Sequence, residues 1–459
     1  MFRVTLADIL PHKSIQLPLA PQLKLRSPLS IALFSAMAAF LTYTMIFGFR
    51  KTFTVATFDG LQYWGVGYKT LIVVAQVLGY LLAKFYGIRF IAEMKRQQRW
   101  KIILMLTGIA WLSWLLFALF PAPYNIVFAA INGFPLGMLW GVVFSYIEGR
   151  RSTDFLGAAL AVSFIFSSGF VKSIGGWLMQ HWGVAELWVP FVAGLAFAIP
   201  LLLFVWMMEQ IPAPTAQDEA ERMHRKPLTQ LERSQILKEF WPGLILAILV
   251  YVFATIFRDI RDNFSADMWK ELGFGERPAI FTQTELPITL GILMMVGSLT
   301  LVRNSSKAFM IAHVLIAAGF IITGASSLLF MAGQVEAFTW MVGTGMGLYM
   351  VYIPFNSIYF ERMIASFQIS GNVGFLIYLA DSAGYVGSVA VLVSKELLQF
   401  KTAWVPFFSQ STQWLSLAGL IITILAAMYF FKKGRKKAMM DGLSGKENRL
   451  HEGGDLQGV

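Results

Sequence analysis

The sequence predicts an all-α polytopic membrane protein, with twelve transmembrane helices in two parallel six-helix repeats. Three observations predict it. Hydrophobic residues make up 57% of the 459 positions and charged residues only 14%, whereas a soluble domain carries about 25% charged residues. Twelve apolar segments reach the roughly 20 residues that a helix needs to cross the hydrocarbon core: 30–58, 69–90, 101–120, 124–147, 155–179, 186–208, 241–270, 280–302, 308–331, 336–360, 372–396 and 409–431. Finally, the chain repeats itself.

The repeat is clearest around Phe49-Arg50-Lys51-Thr52-Phe53. At an offset of 208 residues, Tyr43 falls on Tyr251, Phe49 on Phe257 and Arg50 on Arg258. In each half these residues share a stripe at helical spacing, Tyr43, Phe47, Arg50, Thr54 and Tyr251, Thr255, Arg258, Asp262. A second echo lies at an offset of 215. Ser167-Ser168-Gly169-Phe170-Val171-Lys172-Ser173 resembles Ser382-Ala383-Gly384-Tyr385-Val386-Gly387-Ser388. Paired segments are separated by an even number of helices, so they run the same way.

Taken in order, residues 1–29 are mixed and proline-containing, and are expected to form a cytoplasmic N-terminal segment rather than a cleaved signal peptide. Residues 30–208 form the first six-helix half. Residues 209–239 contain Pro212, Pro214 and the run Asp218-Glu219-Ala220-Glu221-Arg222, which reads as a cytoplasmic linker with some amphipathic helix. The second half covers 240–431. The tail, 432–459, is basic through Lys437 and then Gly-rich and polar, with disorder expected after Lys437.

Charge sets the orientation. With both termini cytoplasmic, inside loops, tails and adjoining helix ends hold 27 of the 37 Lys and Arg residues. Outside loops hold Lys69, Lys270, Arg277, Lys395 and Lys401. This bias follows the positive-inside rule and fits a bacterial cytoplasmic membrane. It also gives the net charge of +11 a membrane reading rather than a nucleic-acid one. The richest basic runs, Lys95-Arg96-Gln97-Gln98-Arg99 and Lys432-Lys433-Gly434-Arg435-Lys436-Lys437, read as topology determinants, with anionic lipid as a minor partner. Without cysteines there is no disulfide or thiolate chemistry. No phosphate-binding loop pattern is present, and the five histidines are scattered, so neither an enzyme, a cofactor nor a metal is expected.

Five cations lie within helices: Arg50, Lys51, Lys172, Arg258 and Arg261. A charge at membrane depth is costly unless it faces a wet or protein-lined cavity, which makes each a candidate functional residue. Guanidinium groups recognise phosphate and carboxylate through paired donors and stay charged. Arg258 has Asp262 four residues on, a structural alternative to ligand binding; Arg50 has no acid on its helix face. Lys172 has none three or four residues away, and its partner is either a bound anion or Asp381. Asp381 itself reads equally as a proton-coupling carboxylate or as a structural partner of Lys172 or an arginine. Tyr43, Tyr251, Asn356 and Tyr385 are the polar tips expected to line the same cavity. Asp262 and Glu148 join Asp381 as coupling or gating candidates. Glu285 is expected at the interface, and Arg150, Arg151, Glu361 and Arg362 in loop or gate ion pairs.

The six-plus-six split and the basic loop between the second and third helices resemble the major facilitator superfamily. Gly79-Tyr80-Leu81-Leu82-Ala83-Lys84-Phe85-Tyr86-Gly87-Ile88-Arg89 stands where that superfamily has its loop signature, but lacks its aspartate and carries the second glycine one place late. Three places are similar to the organophosphate–phosphate antiporter branch, the glycerol-3-phosphate transporter type. They are Arg50-Lys51-Thr52-Phe53, Arg258 with Phe264-Ser265 after it, and Lys172-Ser173-Ile174-Gly175-Gly176, where the branch has histidine in place of Lys172. The resemblance implies that Arg50 and Arg258 hold a phosphate between the halves, with Lys172 beside it. Asn132-Gly133-Phe134-Pro135-Leu136-Gly137, Glu148-Gly149-Arg150-Arg151 and Gly371-Asn372-Val373-Gly374-Phe375 resemble an uncharacterised bacterial family of major-facilitator-like membrane proteins, which implies no substrate.

The expected function is secondary transport of a small anionic solute, either an organophosphate or phosphate or else an organic carboxylate, by a functional monomer embedded in membrane lipid. The alternative is a receptor that senses such a ligand on the same fold without transporting it.

Overall fold

The computed structural model describes residues 26–92, 96–150, 153–215, 230–369, 374–397 and 403–454, together with Leu23, Met94 and Asp218. Lys95, Arg151, the remainder of the acidic run in the linker and Gly371-Asn372-Val373 lie outside the described residues, as does most of segment 1–29.

Twelve long helices follow one another: α1 Pro28–Lys51, α2 Tyr68–Ala92, α3 Arg99–Leu119, α4 Ile126–Ile147, α5 Thr153–Trp182, α6 Val189–Glu209, α7 Gln230–Glu271, α8 Ala279–Thr300, α9 Ser305–Met331, α10 Ala337–Ser357, α11 Gly374–Leu397 and α12 Trp404–Gly454. Ten are long and apolar enough to cross a membrane; the other two, α2 and α10, have 25 and 21 residues, which is spanning length. A short helix, Tyr359–Ser366, follows α10. The last helix does not stop at residue 431: the segment read as disordered after Lys437 continues helical to Gly454.

Local chemistry sets the ends. Ser27 caps α1 by accepting the Ser30 N–H, and Pro28 stands at the first helical position, where its missing N–H costs nothing. Asn304 caps α9 in the same way through the Lys307 N–H. Between α1 and α2 a small hairpin, β1 Gln62–Tyr63 and β2 Val66–Gly67, turns through Gly65 at φ +76, a backbone region that glycine enters without strain.

The packing repeats with the sequence. In the first half α1 packs on α5 and α6, α2 on α4, and α3 on α4 and α6; in the second α7 packs on α11 and α12, α8 on α10, and α9 on α10 and α12. The halves meet where α5 crosses α8 and where α2 meets α11. The first crossing is close because of Gly169. A Cβ there would stand 2.5 Å from the Phe281 carbonyl oxygen.

The echoed helices α1 and α7 are both interrupted. Helix α1 ends at Lys51 and runs into a 3-10 turn, Thr52–Val55. Helix α7 kinks at Phe264, at φ −114 and ψ 15. Interruptions free backbone carbonyls, which inside a membrane must find other donors. They find side chains: Trp114 and Asn132 donate to the Phe49 carbonyl at 2.7 and 3.1 Å, Gln76 to that of Arg50 at 2.8 Å, and Lys69 to that of Thr54 at 2.8 Å.

Candidate functional site

The interrupted helices bring an ionic cluster to the interface of the halves. Its centre is Asp262 on α7, which sits between two lysines from the other half. Lys51 Nζ lies 3.1 Å from Asp262 Oδ2, and Lys172 Nζ lies 2.8 Å from Oδ1. Lys172 also donates to the Asp262 carbonyl at 2.5 Å and to Ser168 Oγ at 2.9 Å. Lys51 donates to Asn263 Oδ1 at 2.6 Å. All three charged groups are buried.

The kink at Phe264 explains why Lys172 is held there. The Asp262 carbonyl ends the longer part of α7, and a cation is favoured at the negative end of a helix segment. Lys69 does the same for α1 through Thr54, the residue that matches Asp262 at the offset of 208. Lys69, expected in an outside loop, is a buried residue of α2 that also pairs with Asp267 of α7 at 2.6 Å.

The two arginines of the repeat differ. Arg258 pairs with its neighbour Asp259 at 2.5 Å, not with Asp262, and lies 4.1 Å from the centre of the Tyr352 ring. Arg50 has no carboxylate within ion-pair distance among the described residues, and its buried Nε has no hydrogen-bond partner. Its guanidinium rests 4.2 Å from the centre of the Tyr80 ring and 5.4 Å from that of Phe47, a contact that holds a cation without neutralising it. Tyr80 in turn packs edge-on against Tyr385 of α11, ring centres 5.4 Å apart. Tyr80 and Tyr385 thus carry the Arg50 contacts across the half interface.

Arg261 has other partners. It pairs with Glu285 of α8 at 2.7 Å and donates to the Met341 carbonyl at 3.0 Å. Gly345 makes room: a Cβ there would lie 2.6 Å from the guanidinium carbon. Glu285, expected at the interface, is therefore a buried partner.

Asp381 is not the partner of Lys172. It pairs with Lys84 of α2 at 3.2 Å and accepts a hydrogen bond from the Tyr251 hydroxyl. Asn356 donates to that hydroxyl at 3.2 Å. Tyr43 packs against Phe47 and Phe164 as a buried aromatic. Tyr359, the first residue of the short helix after α10, bonds His313 Nε2 at 3.0 Å. Glu148 lies at the end of α4, exposed, beside Arg96, Arg99 and Tyr146.

Sequence reasoning missed Lys84, Tyr80 and Asn263 as site residues; it counts Asp259 only as an acid near the cations and expects Glu285 at the interface. One signal was available: Gln76, Tyr80 and Lys84 fall at helical spacing within an apolar segment. Among the described residues the cluster so far traced holds Arg50, Lys51, Lys84, Lys172, Arg258 and Arg261 against Asp259, Asp262, Glu285 and Asp381, a formal excess of two positive charges.

At the end of the bundle opposite the termini, further ties close the interface. Lys270 pairs with Asp59, and its hydrogen bond holds the Asp59 carboxyl below the usual carboxylate range. Glu396 accepts from Thr70 Oγ1 at 2.9 Å, and Gln180 donates to the Gly275 carbonyl at 3.1 Å. Among the described residues no group of three or more His, Asp or Glu side chains is placed to hold a metal.

Solved structures with similar folds are major-facilitator transporters. A D-xylose-proton symporter aligns with a TM-score of 0.57 at 15% identity, over 88% of this chain and 97% of its own. A bacterial homologue of the human drug peptide transporters PepT1 and PepT2 aligns at 0.56 and 13%, over 88% and 98%. The human organic anion transporter MFSD10 aligns at 0.52 and 13%, over 87% and 100%. These likenesses show the major facilitator fold. A search of functionally curated proteins finds no match. A family profile matches residues 52–433, from the interrupted end of α1 to the basic stretch of α12, and by it the chain belongs to the family of unknown function DUF5690.

Proposed function

We propose that the protein is a secondary transporter of a small anionic solute, with Arg50 as the anion's principal contact and Arg258 as its counterpart across the interface. One observation carries this reading: Arg50 is a charged guanidinium inside the bundle with aromatic rings around it and, among the described residues, no carboxylate within ion-pair distance. A partly buried cation at membrane depth is unfavourable unless something anionic offsets it. The excess of two positive charges points the same way, toward phosphate or an organophosphate first and an organic carboxylate second.

The fold supplies the rest of the argument. In proteins of this architecture the site lies between the repeats, and rocking of one half against the other exposes it to each side in turn. The positive-inside bias supports cytoplasmic termini. Lys51, Lys172 and Asp262 then form a paired layer behind the binding region that keeps one formal positive charge.

Uptake by the purified protein in liposomes tests the reading. Accumulation of radiolabelled phosphate or an organophosphate above protein-free vesicles, lost in Arg50→Ala, is the expected result. Saturable anion binding without flux would replace transport with ligand sensing. Absence of any anion binding would sink both.

A further inference from the structure

A second charged niche lies away from the half interface, at the termini end of the bundle. The start of α9, the residues after the short helix Tyr359–Ser366 and the basic part of α12 enclose a groove of about 720 Å³. Three cations line it: Lys307, Arg435 and Lys437. Among the described residues none of them pairs with an acid, in contrast to Lys433 on the same helix, which pairs with Glu239 at 3.4 Å. Lys437 is fixed by donating to the Phe367 carbonyl at 2.5 Å. The first turn of α9 adds the positive end of a helix dipole.

The floor of the groove is apolar, formed by Phe309, Phe367 and Phe430. Its mouth continues onto the outer face of the bundle. On α9 that face exposes Ile311, Val314 and Ile321, and on α12 Ile424, Met428 and Phe431. Helices α9 and α12 pack together, so these exposed apolar residues lie on adjoining helices beside the cationic niche.

We propose that this groove binds an anionic phospholipid, its phosphate held by Lys307, Arg435 and Lys437 and an acyl chain lying along Ile311 and Phe431. A soluble phosphate matches the cations but leaves the exposed apolar residues without a partner. A zwitterionic lipid matches those residues but brings its own cation to a site that already has three. Only an anionic amphiphile fits both parts. Clustered Lys and Arg at a membrane surface attract anionic headgroups; here an enclosed niche adds a shape to that attraction.

Native mass spectrometry of the full-length protein, titrated with phosphatidylglycerol and with phosphatidylcholine of the same acyl chains, tests the proposal. At least tenfold tighter retention of phosphatidylglycerol is expected. In the Lys307→Gln/Arg435→Gln/Lys437→Gln variant the ratio should fall to near one. Lys437 also fixes the Phe367 carbonyl, so Lys307→Gln/Arg435→Gln is the variant to use if the triple change impairs folding, and it should lower the ratio severalfold. Lys432→Gln/Lys436→Gln, which removes exposed cations outside the groove, should leave the ratio unchanged. Equal retention of the two lipids, discrimination that survives in both groove variants, or an equal loss in the control would overturn the proposal. Displacement of phosphatidylglycerol by millimolar inorganic phosphate would do so as well, by showing that the site takes the free anion.

Discussion

Thr54 and Asp262 stand 208 residues apart in equivalent places, and each gives its backbone carbonyl to a lysine: Lys69 Nζ at 2.8 Å and Lys172 Nζ at 2.5 Å. Both lysines also reach a carboxylate of α7, Asp267 and Asp262. Both lysines come from the first half: Lys69 closes a carbonyl of its own half and Lys172 one of the other. A helix is interrupted at the interface, and a lysine closes the freed carbonyl while tying the two halves together.

Removing the acid from the central cluster should be costly. Asp262→Asn leaves Lys51 and Lys172 buried without a carboxylate, which destabilises by about 3–5 kcal/mol. Thermal unfolding in detergent should show a large drop. Adding Lys172→Gln should recover part of it, because one unpaired charge is removed. A melting temperature unchanged by Asp262→Asn would contradict the pairing.

Arg50 should behave in the opposite way. It makes no ion pair among the described residues, so Arg50→Ala loses little more than a cation–π contact, worth about 2 kcal/mol when desolvated. Its effect on anion affinity should be larger, on the order of 2–5 kcal/mol if it is a charge-assisted ligand contact. Calorimetry and unfolding on the same preparation separate the two. Wild-type affinity in the variant would remove Arg50 from the site.

Lys84 and Asp381 join α2 to α11, and a double-mutant cycle measures the tie. Lys84→Gln and Asp381→Asn, alone and together, should give a coupling of roughly 0.5–3 kcal/mol in stability. Strict additivity would mean that the pair contributes nothing to holding the halves together.

The ties at the end opposite the termini should control access from that side. The chain has no cysteine, so a single cysteine at the buried Thr52 is a clean reporter. In a Lys69→Gln/Asp267→Asn background its labelling by a membrane-impermeant thiol reagent should speed up severalfold. Unchanged labelling would show that this pair does not limit opening.

The excess of two positive charges makes a ligand-class prediction. Phosphate, sulfate or phosphorylated metabolites should raise the melting temperature, while neutral sugars and cationic drugs should have little effect. The shift should shrink as inert salt is added, since salt screens the attraction. Stabilisation by a cation, with none from any anion, would reverse the sign assigned to the site.

What the sequence determined by itself is whatever depends on local periodicity. Long apolar runs must be helices in a membrane because each helix satisfies its own backbone. The 208-residue offset placed Arg50 and Arg258 on matching stripes, because a stripe needs only 3.6 residues per turn. Those same rules also mark Lys51, Lys172 and Arg261 as unusual charges, yet they cannot name partners. Partners were decided by helix packing. Lys172 meets Asp262 rather than Asp381 because packing brings Asp262 to 2.8 Å from its Nζ. Glu285 is buried because Gly169 lets α8 approach α5, and Asp381 meets Lys84 because α11 lies against α2. Each of these distances joins segments separated by between 24 and 297 residues, and Coulomb attraction selects among acids by separation in space, a quantity fixed only once the helices have packed.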